Sequence, residues 1–158
     1  MVYQTSITHA RLVPGRKDDA GNERFLDTTT TVLGQTLPFP VAIAPIGVQK
    51  IFNLDGEAAT AKATASLVIP YILSTASSTS IEDVAAANVP GSPRWYQLCW
   101  PSREHDDITI SLLKRAKAAG YTALFVTLDT YVLGWRPSDL DNGYNPFIHP
   151  DHSGVEIG

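Results

Sequence analysis

Thr127, Asp129 and Arg136 fall within TLDTYVLGWRPSD, which runs from Thr127 to Asp139 and follows the apolar run Ala123-Leu124-Phe125-Val126. A run of that kind reads as a buried strand. A strand that empties into a hydroxyl, a carboxylate and then a guanidinium sets ligand-holding groups at its C-terminal end. Such a set calls for a base to work with it. The chain's histidines are His9, His105, His149 and His152, and none lies in that stretch.

The elements that must carry these groups show a regular rhythm. Val41 to Pro45 (VAIAP) is a continuous apolar run ending in proline, as a doubly buried strand does. Gly56 to Leu67 is an Ala-rich helix with Asp55 as its N-cap and Glu57 in its first turn. Ile69 to Ser74 is a second strand. Ser80 to Asn88 is a helix started by Ser80 with Glu82 and Asp83 behind it. Arg94 to Trp100 is a third strand. Asp106 to Ala119, with Ile108, Ile110, Leu112, Leu113 and Ala116, is an amphipathic helix ended by Gly120. Tyr121 to Asp129 is the fourth strand. Strands alternating with helices across short links predict a parallel α/β sheet. Ahead of it, Arg16 to Arg24 reads as a polar loop, and Thr28 to Pro40 as a hairpin turning at Gly34-Gln35. Beyond Asp129 the glycines and prolines predict loop, with no fourth helix.

In parallel α/β folds ligands sit where the strand C-termini converge. The corner Pro45, Ile46 and Gly47, then Ser74, then Thr127 with Asp129, all follow strand ends, and Gln97 lies near the end of the third strand. Each also has an ordinary role open to it. Ser74 and Asp129 suit turn caps, Gln97 an edge position facing water, Thr127 a plain strand, and Arg136 a solvated charge. Their shared position favours one common site. Cys99, between Leu98 and Trp100 with no histidine nearby, reads as core or pocket lining.

Composition narrows the classes. The chain has 158 residues, 44% hydrophobic and 18% charged, enough for one globular domain. A formal net charge of -4 offers no broad basic surface to nucleic acid or an anionic membrane. The single cysteine allows no intrachain disulfide and suits a reducing compartment. No apolar stretch has the length of a signal peptide core or of the roughly 20-residue membrane span. A soluble, cytoplasmic protein is the expectation. Neither GxGxxG nor GxxxxGKS occurs. His149-Pro150-Asp151-His152 holds metal-ligand types, but its proline-rich setting reads as a surface loop, and no metal is expected.

VAIAPIGVQKIFNLDGEAATAKA, YILSTASSTSIEDVA, PRWYQLCWP and AGYTALFVTLDTYVLGWRPSDLDNGY cover most of Leu33 to Tyr144. In order and spacing they resemble the FMN-dependent L-2-hydroxy acid oxidases and dehydrogenases, which include glycolate oxidase, lactate oxidase and lactate 2-monooxygenase. PRWYQLCWP and LGWRPSDLD look most like the monooxygenase branch. The resemblance implies a (β/α)8 TIM barrel with FMN at its C-terminal face. Pro45, Ile46 and Gly47 match the corner against the flavin ring, and Ser74, Gln97 and Thr127 match residues that hydrogen-bond it. Arg136 matches an arginine associated with the substrate carboxylate, where a bidentate fork suits two oxygens. Asp129 matches an aspartate that orients a catalytic histidine. Cys99 stands where the family usually has a substrate-contacting tyrosine, and a thiol is a far weaker hydrogen-bond donor.

The resemblance also defines an expectation of incompleteness. A whole barrel takes about 250 residues or more, so residues 1–158 correspond to the N-terminal portion of one such domain, about its first four strands with a short hairpin ahead of them. The family's base lies in a His-x-x-Arg pair further on, and no histidine here has that pattern. The expected function is that of a piece of an FMN oxidoreductase acting on a 2-hydroxy acid such as lactate, inactive alone. The alternative is a non-catalytic remnant that binds flavin or a partner. Partners implied are a small 2-hydroxy acid, a C-terminal half-barrel or a second copy, with neither nucleic acid nor membrane. A peroxisomal address is implied if a C-terminal signal lies outside these residues. An unrelated flavodoxin-like sheet would need helices on both faces and a phosphate loop.

Overall fold

The computed structural model describes residues 16–17, 20–21, 23–24, 27–100, 103–129, 134–145 and 148. Arg16 to Arg24, expected as loop, carries a minimal antiparallel ladder of β1 (Arg16–Lys17) and β2 (Glu23–Arg24), pairing Arg16 with Arg24 and Lys17 with Glu23. The predicted hairpin follows as β3 (Thr30–Val32) and β4 (Gln35–Leu37). Its turn sits one residue earlier than expected, at Leu33 and Gly34, whose φ values of 50° and 77° are both positive, as a tight two-residue turn between twisted strands demands. Gln35 is thereby released to the strand.

Three parallel strands follow in sequential order: β5 (Tyr71–Leu73), β6 (Arg94–Cys99) and β7 (Ala123–Thr127). Tyr71 lies opposite Arg94, and Trp95 to Cys99 run opposite Ala123 to Thr127. Between the strands come α1 (Gly56–Leu67), α2 (Ile81–Ala87) and α3 (Asp106–Ala118). Alternation along β5 and β6 sends Tyr71, Leu73, Tyr96 and Leu98 to one face. They are buried there with Ala61 of α1, Ile81 and Val84 of α2 and Ala116 of α3. Burying each large side chain contributes about 1.5–3 kcal/mol. All three helices therefore cover the same face. Sequential parallel strands with helices on one side make a segment of a (β/α)8 barrel, and the doubly wound alternative is excluded. Among the described residues the sheet does not close.

Several boundaries differ from the sequence reading. Val41 to Pro45 is not a buried strand. It meets the sheet at a single parallel bridge, Ile43 to Tyr71, with the Ile43 amide donating to the Pro70 carbonyl and the Ile72 amide to the Ile43 carbonyl. Pro40 and Pro45 have no amide to donate, and Val41, Ala42 and Ala44 are exposed at this sheet edge. Asp55 makes no cap bond with its side chain. Ser80 does cap α2, accepting from the Asp83 amide at 3.1 Å. On α3 the inward stripe is Thr109, Leu112, Leu113 and Ala116, whose i, i+3, i+4, i+7 spacing faces the sheet, while Ile108 and Ile110 are exposed. Gly120, at φ 81°, follows α3 as expected. A one-turn helix, α4 (Pro137–Asp141), stands where only loop was expected, with proline at its start, where a missing amide is no loss.

Candidate functional site

Trp95, Gln97 and Cys99 alternate onto the face of β6 opposite the helices. This inner face is filled in layers. At the bottom Trp95 is buried against Phe125, ring centroids 5.4 Å apart, and its indole N–H donates to Gln35 Oε1 of the hairpin at 2.9 Å. The hairpin thus closes the N-terminal end of the sheet. Above that layer Gln97 spans three strands. Its Nε2 donates to Thr127 Oγ1 at 2.8 Å, and its Oε1 accepts from the Thr75 amide, just past β5, at 3.2 Å. Cys99 forms the exposed rim and is not a core residue, because strand alternation turns it to the open face.

Thr75 is a residue the sequence reading missed. Its hydroxyl donates to the Gln97 carbonyl and accepts from the Cys99 amide at 2.9 Å, continuing the β5–β6 pairing past the end of β5. Nothing in a Ser-Thr pair after an apolar run tells which hydroxyl does this. Ser74 is buried and caps its own turn, accepting from the Ala76 amide at 3.2 Å. The corner at Pro45, Ile46 and Gly47 comes to the same end of the sheet. A Cβ on Gly47 would lie 2.9 Å from the Ala76 carbonyl oxygen, and the Val48 amide donates to that oxygen at 2.9 Å. The two loops touch backbone to backbone.

Glu57 was also missed, having been read as an ordinary helix-start acid. It is fully buried and accepts hydrogen bonds from both loops: the Gln49 amide at 3.0 Å, the Ser78 amide at 2.9 Å, the Ser78 hydroxyl at 2.8 Å and the Thr79 hydroxyl at 2.7 Å. Desolvation pushes its carboxyl upward. The amides of Gln49 and Ser78 and the Thr79 hydroxyl together outweigh this and hold it below the ordinary glutamate value. The signal available was spacing, since positions 57, 61, 64 and 65 form the buried stripe of α1.

Ser74, Gln97, Thr127, Cys99 and the 45–47 corner are brought together. Asp129 and Arg136 are not joined to them by a hydrogen bond or ion pair among the described residues. Asp129 lies exposed beyond β7. Arg136, at the start of α4, faces Asp139 with Nη1 to Oδ2 at 3.8 Å, both in reach of water. Residues 130–133 and His9, His149 and His152 lie outside the described residues, and His105 is exposed at the head of α3. Among the described residues no cluster of His, Cys, Asp and Glu could hold a metal ion, and no helix is long and apolar enough to cross a membrane. A groove of about 310 Å³ lies on the opposite, helical side, between Leu113, Ala116 and Lys117 of α3 and Ala123 and Leu124 of β7. It is remote from the strand C-termini.

A one-sided parallel sheet with polar side chains at its strand C-termini is the arrangement of a barrel-type α/β domain. The family model for FMN-dependent dehydrogenase matches residues 4–154, and the chain belongs to that family. An FMN-dependent alpha-hydroxy acid dehydrogenase of Schizosaccharomyces pombe is 58% identical over 147 residues, covering 93% of this chain and 35% of that protein. An L-lactate oxidase of Lysinibacillus sphaericus is 38% identical over 135 residues, 85% of this chain and 33% of that one. The crystal structure of a mandelate oxidase superposes with a TM-score of 0.71 at 31% identity, over 85% of this chain and 38% of that one. The chain spans about a third of the length of the curated relatives it matches.

The donor set fits the family's cofactor. The edge of a flavin ring alternates N–H and carbonyl groups and needs neutral partners of both kinds. Among the described residues Gln97 retains a second amide hydrogen, and Thr127 and Ser74, which both accept, retain their hydroxyl hydrogens. The close loop contact at Gly47 leaves Pro45 and Ile46 exposed beside them.

Proposed function

We propose that this chain contributes the ring-binding side of a site at which an FMN-dependent oxidoreductase oxidises the CH–OH group of a small L-2-hydroxy acid such as lactate. Residues 1–158 would belong to one barrel domain. The observation that carries the reading is Gln97, which ties the ends of three parallel strands together on the open face of the sheet. FMN supplies the two-electron acceptor when bound. Pro45, Ile46 and Gly47 would lie against its ring, and Ser74, Gln97 and Thr127 would hydrogen-bond it. Arg136 would exchange its long contact with Asp139 for the substrate carboxylate, which its fork grips with two hydrogen bonds. Asp129 would orient a histidine base that these residues do not supply, and Cys99 would border the substrate.

FMN titration followed by flavin fluorescence tests the ring site. Weak, saturable quenching is expected, with Gln97→Ala and Thr127→Val each weakening it about tenfold, the equivalent of one good hydrogen bond. Unchanged affinity in both variants overturns the assignment. Alone, the chain is expected to show no turnover of L-lactate, and turnover by these residues only would refute the role given to Asp129. A second reading is a non-catalytic module that binds flavin or a partner, and the exposed Leu124, Val126 and Leu128 of the β7 segment favour it. Adding the remaining two thirds of the Schizosaccharomyces pombe relative separates the readings. Lactate-dependent bleaching of flavin supports catalysis, and binding without bleaching supports the module.

A further inference from the structure

We propose that Glu57 is a positioning residue: a buried anion, held without a cation, that locks the loop of residues 45–51 to the loop of residues 74–79 and so sets the geometry of the proposed flavin-ring site. The claim rests on that site reading for its functional half and on geometry alone for its structural half. The four hydrogens directed at the carboxylate come from Gln49, Ser78 and Thr79, on two segments that lead into different helices, α1 and α2. Around this centre the loops are laced further. The Lys50 amide donates to Ser78 Oγ at 3.0 Å, and Gln49 Nε2 donates to the Ile46 carbonyl at 3.2 Å and to the Tyr71 hydroxyl at 3.0 Å. The Thr60 hydroxyl donates to Gln49 Oε1 at 2.7 Å, returning the network to α1. Ile46, in the corner of the proposed ring site, is therefore connected to Glu57 through the single residue Gln49.

Only an ionised carboxylate accepts from all four directions at once. A glutamine of the same shape turns an NH2 toward the Ser78 and Thr79 hydroxyls, which must then rotate and accept. Charge-assisted hydrogen bonds are roughly twice as strong as neutral ones, so the isosteric change loosens the lock without opening a cavity. The nearest structural explanation, a carboxylate paired with a buried base, does not apply, since Glu57 is in no ion pair among the described residues.

The test is Glu57→Gln in the full chain, read by amide hydrogen exchange and by FMN titration. Exchange in 45–51 and 74–79 is expected to rise about tenfold, while α3 and β6 keep wild-type rates, and FMN affinity is expected to fall by a similar factor with a changed absorption band of the bound flavin. Thr79→Val, which removes one donor and keeps the shape, should give a smaller rise in the same two loops. Unchanged loop exchange in both variants overturns the proposal, as does a rise spread evenly over the chain, which would make Glu57 a general core residue. If wild type binds no FMN, the flavin reading fails while the exchange measurements still decide the lock.

Discussion

At the scale of single residues the C-terminal end of this sheet is organised by side chains that act on backbone. Thr75 clamps β6, Gln97 reaches the Thr75 amide, and Glu57 collects the amides of Gln49 and Ser78. Glu57 also sets an acid limit on stability. Its carboxyl is held below 4.5 when folded, so in the interval between the folded and unfolded values the unfolded chain binds the extra proton. The contribution is therefore complete above the ordinary glutamate value and is lost as pH falls through the lower, folded one. Chemical denaturation of wild type at a series of pH values below 5 should show stability falling, and Glu57→Gln should flatten that fall. Glu82 is also lowered, by its bond to Arg115, but it is exposed, so it adds little. Equal slopes in wild type and variant would show that Glu57 is not the group responsible. The residue types at Gln97 and Thr127 were readable as site candidates because both follow strand patterns. Glu57 and Thr75 were not, because an acid at a helix start and a threonine after a strand each have a commoner use.

At the scale of elements, apolar runs and their spacing made the three helices, β5, β6 and β7 legible. The helices bury stripes of the matching period and β5 is buried throughout, whereas β7, expected from its apolar run as a buried strand, keeps Leu124, Phe125 and Val126 exposed. Where the sequence misled, a local feature overrode the run. The prolines around 41–45 removed ladder donors, and α4 is a single turn too short to show a period. The helix ends carry a different tension. Val68 closes α1 at φ 55°, in the left-handed region where a β-branched side chain is strained, and its amide still reaches the Ala65 and Thr64 carbonyls. The residue is 52% exposed, so little burial depends on it. Val68→Gly should therefore stabilise the chain by about 1 kcal/mol, raising the thermal midpoint by about 2–4 °C for a domain of this size. An unchanged or lower midpoint would mean that the valine's packing outweighs its strain. Val89, at φ 58°, offers the same change at the end of α2.

At the scale of the whole molecule the sheet, among the described residues, has one covered face and an open edge along β7. The helices bury the outward side chains of β5 and β6, but the same alternation leaves Leu124, Val126 and Leu128 of the β7 segment facing water, Leu128 at 76% exposure. Among the described residues β7 pairs only with β6, so its other edge also presents unpaired amides and carbonyls. In a barrel both features are satisfied by the next strand and helix. A chain that presents them instead combines an edge strand with an adjoining apolar surface, the arrangement most prone to pair with another copy. We expect concentration-dependent association of the purified chain in sedimentation velocity. A charge placed on that surface by Val126→Glu should shift it toward the monomer, because a dimer would bury the carboxylate without a partner. The substitution lies on the face away from Gln97 and Thr127, so FMN titration should be unchanged and the two surfaces can be tested separately. Association that persists in Val126→Glu would place the contact elsewhere, on the open inner face where Phe125 and Cys99 stand.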